Sequence, residues 1–192
     1  MNIPTAATLT KVMADHGYTI PVGVHVVLLR NRHGVIDRFD DMLVMMRGGA
    51  VLMACRCTTD PGRGPRMNPK NPKGCAVWAV GQVVDGLKLG QHHPGTPGAY
   101  AALVPAKPIP VLRYAGLDDT TGTPDVSWTV QIHRASATHE SAIVGDYSEG
   151  CAPVANPAEY DDPTHAASPS TVMGIARGSG QARLTVTLLE WG

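Results

Sequence analysis

Residues 126–135 read VSWTVQIHRA, and their alternation sets the expected fold class. Successive side chains of an extended chain point to opposite sides. Val126, Trp128, Val130 and Ile132 therefore share one face, and Ser127, Thr129, Gln131 and His133 share the other. The stretch predicts a half-buried β-strand that carries a histidine on its polar face. Working outward, extended apolar runs recur at residues 19–31, 74–84 and 182–191. Residues 40–46 and 50–58 flank Gly48-Gly49 and read as a hairpin. The chain holds 21 glycines and 16 prolines in 192 residues, a breaker density that argues for short strands and many turns rather than a helical bundle.

Helical spacing is confined to two places. Leu9, Val12 and Met13 recur at three and four within residues 5–16, and Gly17 offers a stop. Residues 169–178, PSTVMGIARG, predict a second short helix with Pro169 before it and Gly178 to end it. The expected architecture is mainly β, one domain over residues 1–192, with residues 1–20 as an N-terminal helix and lead-in. Apolar residues make up 43% of the chain, enough for a packed core.

Sixteen basic side chains balance sixteen acidic ones. Such a balance supplies no electrostatic footprint for nucleic acid or an anionic membrane surface. No apolar run approaches the ~18 residues of a membrane span. The N-terminus lacks a basic region followed by an apolar core, so the chain is expected to be made in the cytoplasm without a signal peptide.

The four cysteines divide into two kinds. Cys55 and Cys57 are two apart and share a strand face; with Cys75 they read as small buried hydrophobes. A single C-x-C beside a distant cysteine is a weak zinc signal. Cys151 instead ends the run Ser148-Glu149-Gly150-Cys151, eighteen residues after His133. A thiolate is a strong nucleophile, and a neighbouring imidazole is expected to lower the thiol pKa by taking the proton. A strand end can hold the base rigidly. Gly150 permits a tight turn, and the amides around Gly150 and Cys151 would serve as an oxyanion hole.

These residues give the chain a resemblance to the L,D-transpeptidase catalytic-domain family of peptidoglycan enzymes, whose pattern is a histidine, a comparable spacer, then Ser/Thr-His-Gly-Cys. Four segments resemble a phage and prophage branch of such cell-wall enzymes: TTDPG at residues 58–62, IHRA at 132–135, SEGC at 148–151 and TLLE at 187–190. The resemblance implies a β-sandwich or barrel with one or two short helices. It implies Cys151 as nucleophile, His133 as base, the backbone carbonyl of Arg134 as the group that orients the imidazole, and Ser148 as support for the turn. No metal or organic cofactor is implied. The partner implied is a peptidoglycan stem peptide, reached after holin-dependent release or delivery by a virion. The chain departs from the pattern at Glu149, where the family has histidine. Arg134 and His139 are the candidates to replace that group near the oxyanion.

Other readings stand beside this one. Transpeptidation is an alternative to hydrolysis at the same site. His139 with Asp146, and Asp162 with His165, mimic the His, Asp, His zinc set of other peptidoglycan peptidases. Cys151 followed by His165 mimics a papain-like order, but two prolines within six residues of Cys151 oppose the helix that order requires. A non-catalytic wall-binding or virion protein is the reading from a different class. His92 and His93, in QHHPG, read as a solvated turn or a substrate contact. The long loop at residues 59–73 carries Arg63, Arg66, Lys70 and Lys73, read either as an exposed basic loop or as a lid that pairs with substrate carboxylates.

Overall fold

In the computed structural model, which describes residues 3–162, 164–165 and 168–192, helix α1 (Ala6–Asp15) precedes three long strands. Thr5 caps α1 by accepting from the Thr8 amide, and Gly17, with φ +72°, ends it in the left-handed region. Strands β1 (Val24–Asn31), β2 (Asp41–Arg47) and β3 (Ala50–Cys57) form an antiparallel meander. Helix α2 (Arg63–Met67) interrupts the loop that follows. Strands β4 (Cys75–Trp78), β5 (Gly81–His92), β6 (Tyr100–Pro105), β7 (Ile109–Tyr114) and β8 (Thr123–Ser127) come next. The chain closes with β9 (Ile132–Arg134), β10 (Ala152–Val154), α3 (Pro157–Tyr160), α4 (Val172–Gly178) and β11 (Leu184–Trp191).

The protein is mainly β, with one closed barrel and one small sheet. Around the barrel the order is β1, β11, β5, β6, β9, β10, β3, β2. The small sheet runs β4, β7, β8. Closure removes the exposed edges that an open sheet would leave. Strand β1 is buried on both faces, which explains its continuous apolar run. Val24, Val26 and Leu28 belong to the main core, whereas Val27 and Leu29 pack outward with Leu9 and Met13 of α1.

Two stretches that read as single strands each split between the two sheets. Residues 126–135 divide into the end of β8 and the whole of β9, joined by a crossing at residues 128–131. Val130 and Ile132 are buried as expected, whereas Val126 and Trp128 are 53% and 60% exposed and Ser127 and His133 are buried, against the expected faces. The physical reason is that β8 pairs with β7, while β9 pairs with β6 and β10, so one alternation spans two different sheets. The Ser127 hydroxyl accepts from the Thr129 amide and stabilises the bend. Residues 74–84 divide in the same way into β4 and β5. The described residues also form four short helices rather than one or two. One of the additional helices, α3, starts where Asn156 caps it and Pro157 takes the first position, where a missing N–H costs nothing.

Candidate active site

The parallel pairing of β9 with β10 places Ala152 opposite Ile132 and Pro153 opposite His133. Cys151 immediately precedes β10, and the Ala152 amide donates to the Gln131 carbonyl at 2.7 Å. Cys151 thus stands beside Gln131, and alternation sets it on the same sheet face as His133, one diagonal step away. Both side chains line one cleft of about 840 Å³.

His133 is 2% exposed and tightly held. Its Nδ1–H donates to the Arg134 carbonyl at 2.7 Å. The Tyr100 hydroxyl donates to the same carbonyl at 3.1 Å and lies 3.1 Å from Nδ1. A proton on Nδ1 fixes the tautomer and leaves Nε2 with its lone pair. Nε2 is buried and has no hydrogen-bond partner among the described residues. The His92 ring stacks on the His133 ring at 4.0 Å and 15°. Burial, and then the neighbouring His92, push the His133 pKa down to about 3.

The turn before Cys151 is held from several sides. The Ser148 hydroxyl donates to the Cys151 carbonyl at 2.7 Å and accepts from the Gly150 amide at 3.2 Å. Trp78 Nε1 donates to the Gly150 carbonyl at 2.9 Å. Gly150 has φ +128°, and a Cβ there would lie 2.7 Å from the Ala76 methyl, so only glycine fits. The Ser148 carbonyl accepts from the Gly62 amide at 2.9 Å, which docks the TTDPG segment on the turn. That segment is itself anchored. Asp41 accepts from the Thr59 amide and hydroxyl, each at 2.7 Å, and Arg30 donates to the Thr59 hydroxyl and to the Trp78 carbonyl.

Cys55, Cys57 and Cys75 are buried, whereas Cys151 is partly accessible. The Cys151 thiol lies 3.8 Å from the Thr129 carbonyl. Burial pushes its pKa up to about 11, and the Glu149 charge adds to the rise. A hydrogen bond from the Gln131 backbone opposes it. Contrary to the expected lowering of the thiol pKa by the imidazole, burial keeps Cys151 a neutral thiol and His133 a neutral imidazole rather than an ion pair.

The other expected site residues separate into those at the cleft and those away from it. Glu149 lines the cleft and pairs with Lys70 from the long loop. Of the four basic loop residues, Lys70 alone is on the cleft. Arg66 is neither an exposed cation nor a free lid residue. It is 8% exposed, donates to the carbonyls of Gly116 and Asp119 at 3.3 Å, and lies 3.7 Å from the Tyr114 ring centroid. Arg66 holds the loop to the small sheet. Lys73 pairs with Asp125 at 3.4 Å, and Arg63 is exposed. The Arg134 guanidinium lies over the Tyr100 ring at 4.0 Å, and exposed His139 is 3.0 Å from the Ser136 hydroxyl. Neither lines the cleft shared by His133 and Cys151. His165 pairs with Asp162 at 3.0 Å, and among the described residues no three His, Cys, Asp or Glu side chains converge as a metal site.

Sequence reading missed Tyr100, Trp78 and Arg113 as site residues, and it left His92 as either a solvated turn or a substrate contact. His92 ends β5, is half-buried and donates from Nδ1 to Gln131 Oε1 at 2.8 Å. The adjacent pair His92-His93 was the one signal that marked this place. No family model, curated protein or solved structure matches the chain.

Proposed function

We propose that the protein is a cysteine peptidase that cleaves peptidoglycan stem peptides, with Cys151 as nucleophile and His133 as general base. The observation that carries this reading is the pairing of β9 and β10, which sets a partly accessible thiol diagonal to a buried imidazole whose Nε2 is unpartnered. The resemblance of the His133 and Ser148-to-Cys151 segments to L,D-transpeptidase domains supplies the substrate class and the corresponding fold type.

In the proposed reaction the Cys151 sulfur attacks the carbonyl carbon of an L-centre residue joined to D-alanine. The thiol proton moves to His133 Nε2 as the C–S bond forms. The Cys151 amide, at the Gly150 turn, receives the developing oxyanion, since the Gly150 amide is held by the Ser148 hydroxyl. The C–N bond then breaks, and the imidazolium returns its proton to the departing D-alanine amine. Water, deprotonated by Nε2, attacks the thioester; the acid leaves, and sulfur recovers its proton. Because the resting pair is neutral, proton transfer accompanies attack rather than preceding it. Lys70 holds the Glu149 carboxylate, which keeps that charge from opposing the oxyanion.

The test is incubation of the purified protein with peptidoglycan, followed by mass analysis of the soluble products. Stem peptides shortened at an L,D bond by the wild type, but not by Cys151→Ala, are expected. Unchanged peptidoglycan would contradict the proposal. EDTA is expected to leave turnover intact; loss with EDTA and recovery with zinc would replace the thiol mechanism with a metal one.

A further inference from the structure

His133 shares the cleft with the His92 and His93 rings and the Cys151 thiol, while the Tyr100 hydroxyl, under the Arg134 guanidinium, lies at its Nδ1 side. Among the described residues, the ring stacked on the imidazole face is that of His92. Its own orientation is set by the 2.8 Å bond to Gln131, a residue of the crossing that leads into β9. His92 also packs at 5.2 Å from the Tyr100 ring and at 3.9 Å from the His93 ring. The base is thus enclosed by one stacked ring, one hydroxyl and one carbonyl, with Nε2 left over. Removing the stacked ring opens the imidazole face to the cleft and to water.

We propose that His92 is the positioning residue for His133. Its stacked ring keeps the imidazole dry and in the plane that binds the Arg134 carbonyl, so that Nε2 stays an unprotonated acceptor. His92 acts through His133 and touches no reacting atom. The assignment rests on the reading of His133 as the base, yet the enclosure it describes is measurable without any substrate.

Two physical consequences follow. Water at the exposed face would stabilise the imidazolium, since burial is the largest cause holding His133 neutral. A ring free to tilt would also lose alignment between Nε2 and the thiol, and misplacement of a base lowers kcat more than it raises KM.

The experiment is an NMR titration of the His133 ring in the full-length protein. Wild type, His92→Ala, His92→Phe and Gln131→Ala are compared, with kinetics on peptidoglycan run in parallel. His92→Ala is expected to move the His133 titration up towards the ordinary histidine range. His92→Phe keeps a flat ring over the imidazole and is expected to restore a low titration point. Gln131→Ala frees His92 without deleting it and is expected to give a smaller upward move, so the claim stays decidable if His92→Ala fails to fold. In kinetics, His92→Ala is expected to lower kcat about 10- to 100-fold with KM nearly unchanged and to raise the acid limb of the pH profile; His92→Phe recovers most of the loss. A His133 titration that stays put in both His92→Ala and Gln131→Ala overturns the assignment. Absence of wild-type turnover with the titration shifts intact would sink the peptidase reading and leave the enclosure standing.

Discussion

His25 and His133 are the two buried histidines among eight, and locally they are alike. Each sets Nδ1 against a backbone carbonyl, Gly23 at 3.2 Å and Arg134 at 2.7 Å, and each leaves a buried Nε2 without a partner. In each, burial pushes the pKa down. The neighbourhoods differ. His25 shares its strand face with Val27 and Leu29, which pack beneath α1. His133 opens on a cleft, and its neighbouring strand begins at a thiol. What distinguishes the second from the first is strand pairing that sets a thiol beside the orphan imidazole in one cleft.

The largest expected effect comes from breaking that distinction at His133. His133→Ala should cost turnover about 10²- to 10⁴-fold, the usual range for a general base, and nearly as much as Cys151→Ala. His25→Leu should leave turnover within a few-fold, because it removes an unsatisfied buried polar atom far from the cleft. Replacing such a group by an apolar one of similar size is near neutral for stability. A steady-state assay with thermal melts checks both. Equal loss of turnover in the two variants would erase the contrast.

A second effect is on stability against pH. The folded His133 pKa is about 3, below the ordinary 6.5. Below pH 6.5 the unfolded chain takes up a proton that the folded chain refuses. The His133 contribution is thus full above pH 6.5 and is lost as pH falls towards 3. Asp41 acts in the opposite sense: burial raises it to about 6, so its contribution is lost as pH rises from 3.8 through 6. Comparing melts of wild type and His133→Gln cancels the Asp41 part. The variant should lose less stability than wild type between pH 6.5 and pH 4; parallel curves would contradict the buried neutral imidazole.

Thiol reactivity sharpens the comparison further. Cys151 should label faster with iodoacetamide than Cys55, Cys57 or Cys75, through access rather than acidity. Cys75 and Cys151 are both pushed up to about 11, yet Cys75 is buried. The labelling rate should climb about tenfold per pH unit towards pH 11, since only thiolate reacts. A plateau near neutral pH would indicate a preformed ion pair instead.

Strand content was legible where one period served one partner. The runs in β1, β2, β3 and β11, and the helical spacing of α1, were read near their true bounds. Residues 126–135 and 74–84 misled because alternation reports which side chains share a face and carries no information about which sheet a strand joins. Trp128 looked like core for that reason and is exposed. That His133 and Cys151 would lie together was expected from their spacing, from Gly150 and from the resemblance of the flanking segments, and they line one cleft. Arg66 was not, because its partners Gly116 and Asp119 are backbone carbonyls some fifty residues away. His92 was obscured by the glycines and prolines of its own loop, although it belongs to the strand before them.

The smallest expected effect is at Glu149. Its pairing with Lys70 holds the carboxylate, so Glu149→Gln should change turnover by no more than about tenfold, or ~1.4 kcal/mol of barrier. Abolished turnover in Glu149→Gln with retained turnover in His133→Ala would move the proton-transfer role to Glu149.

The central claim is a covalent bond at Cys151. Acid quenching of the protein during turnover of stem peptide, followed by peptide mapping by mass spectrometry, looks for that bond directly. The account predicts a hydroxylamine-sensitive thioester on the peptide containing Cys151, accumulating before free product and lost in Cys151→Ala. Turnover that continues in Cys151→Ala with no adduct on the wild type would contradict it.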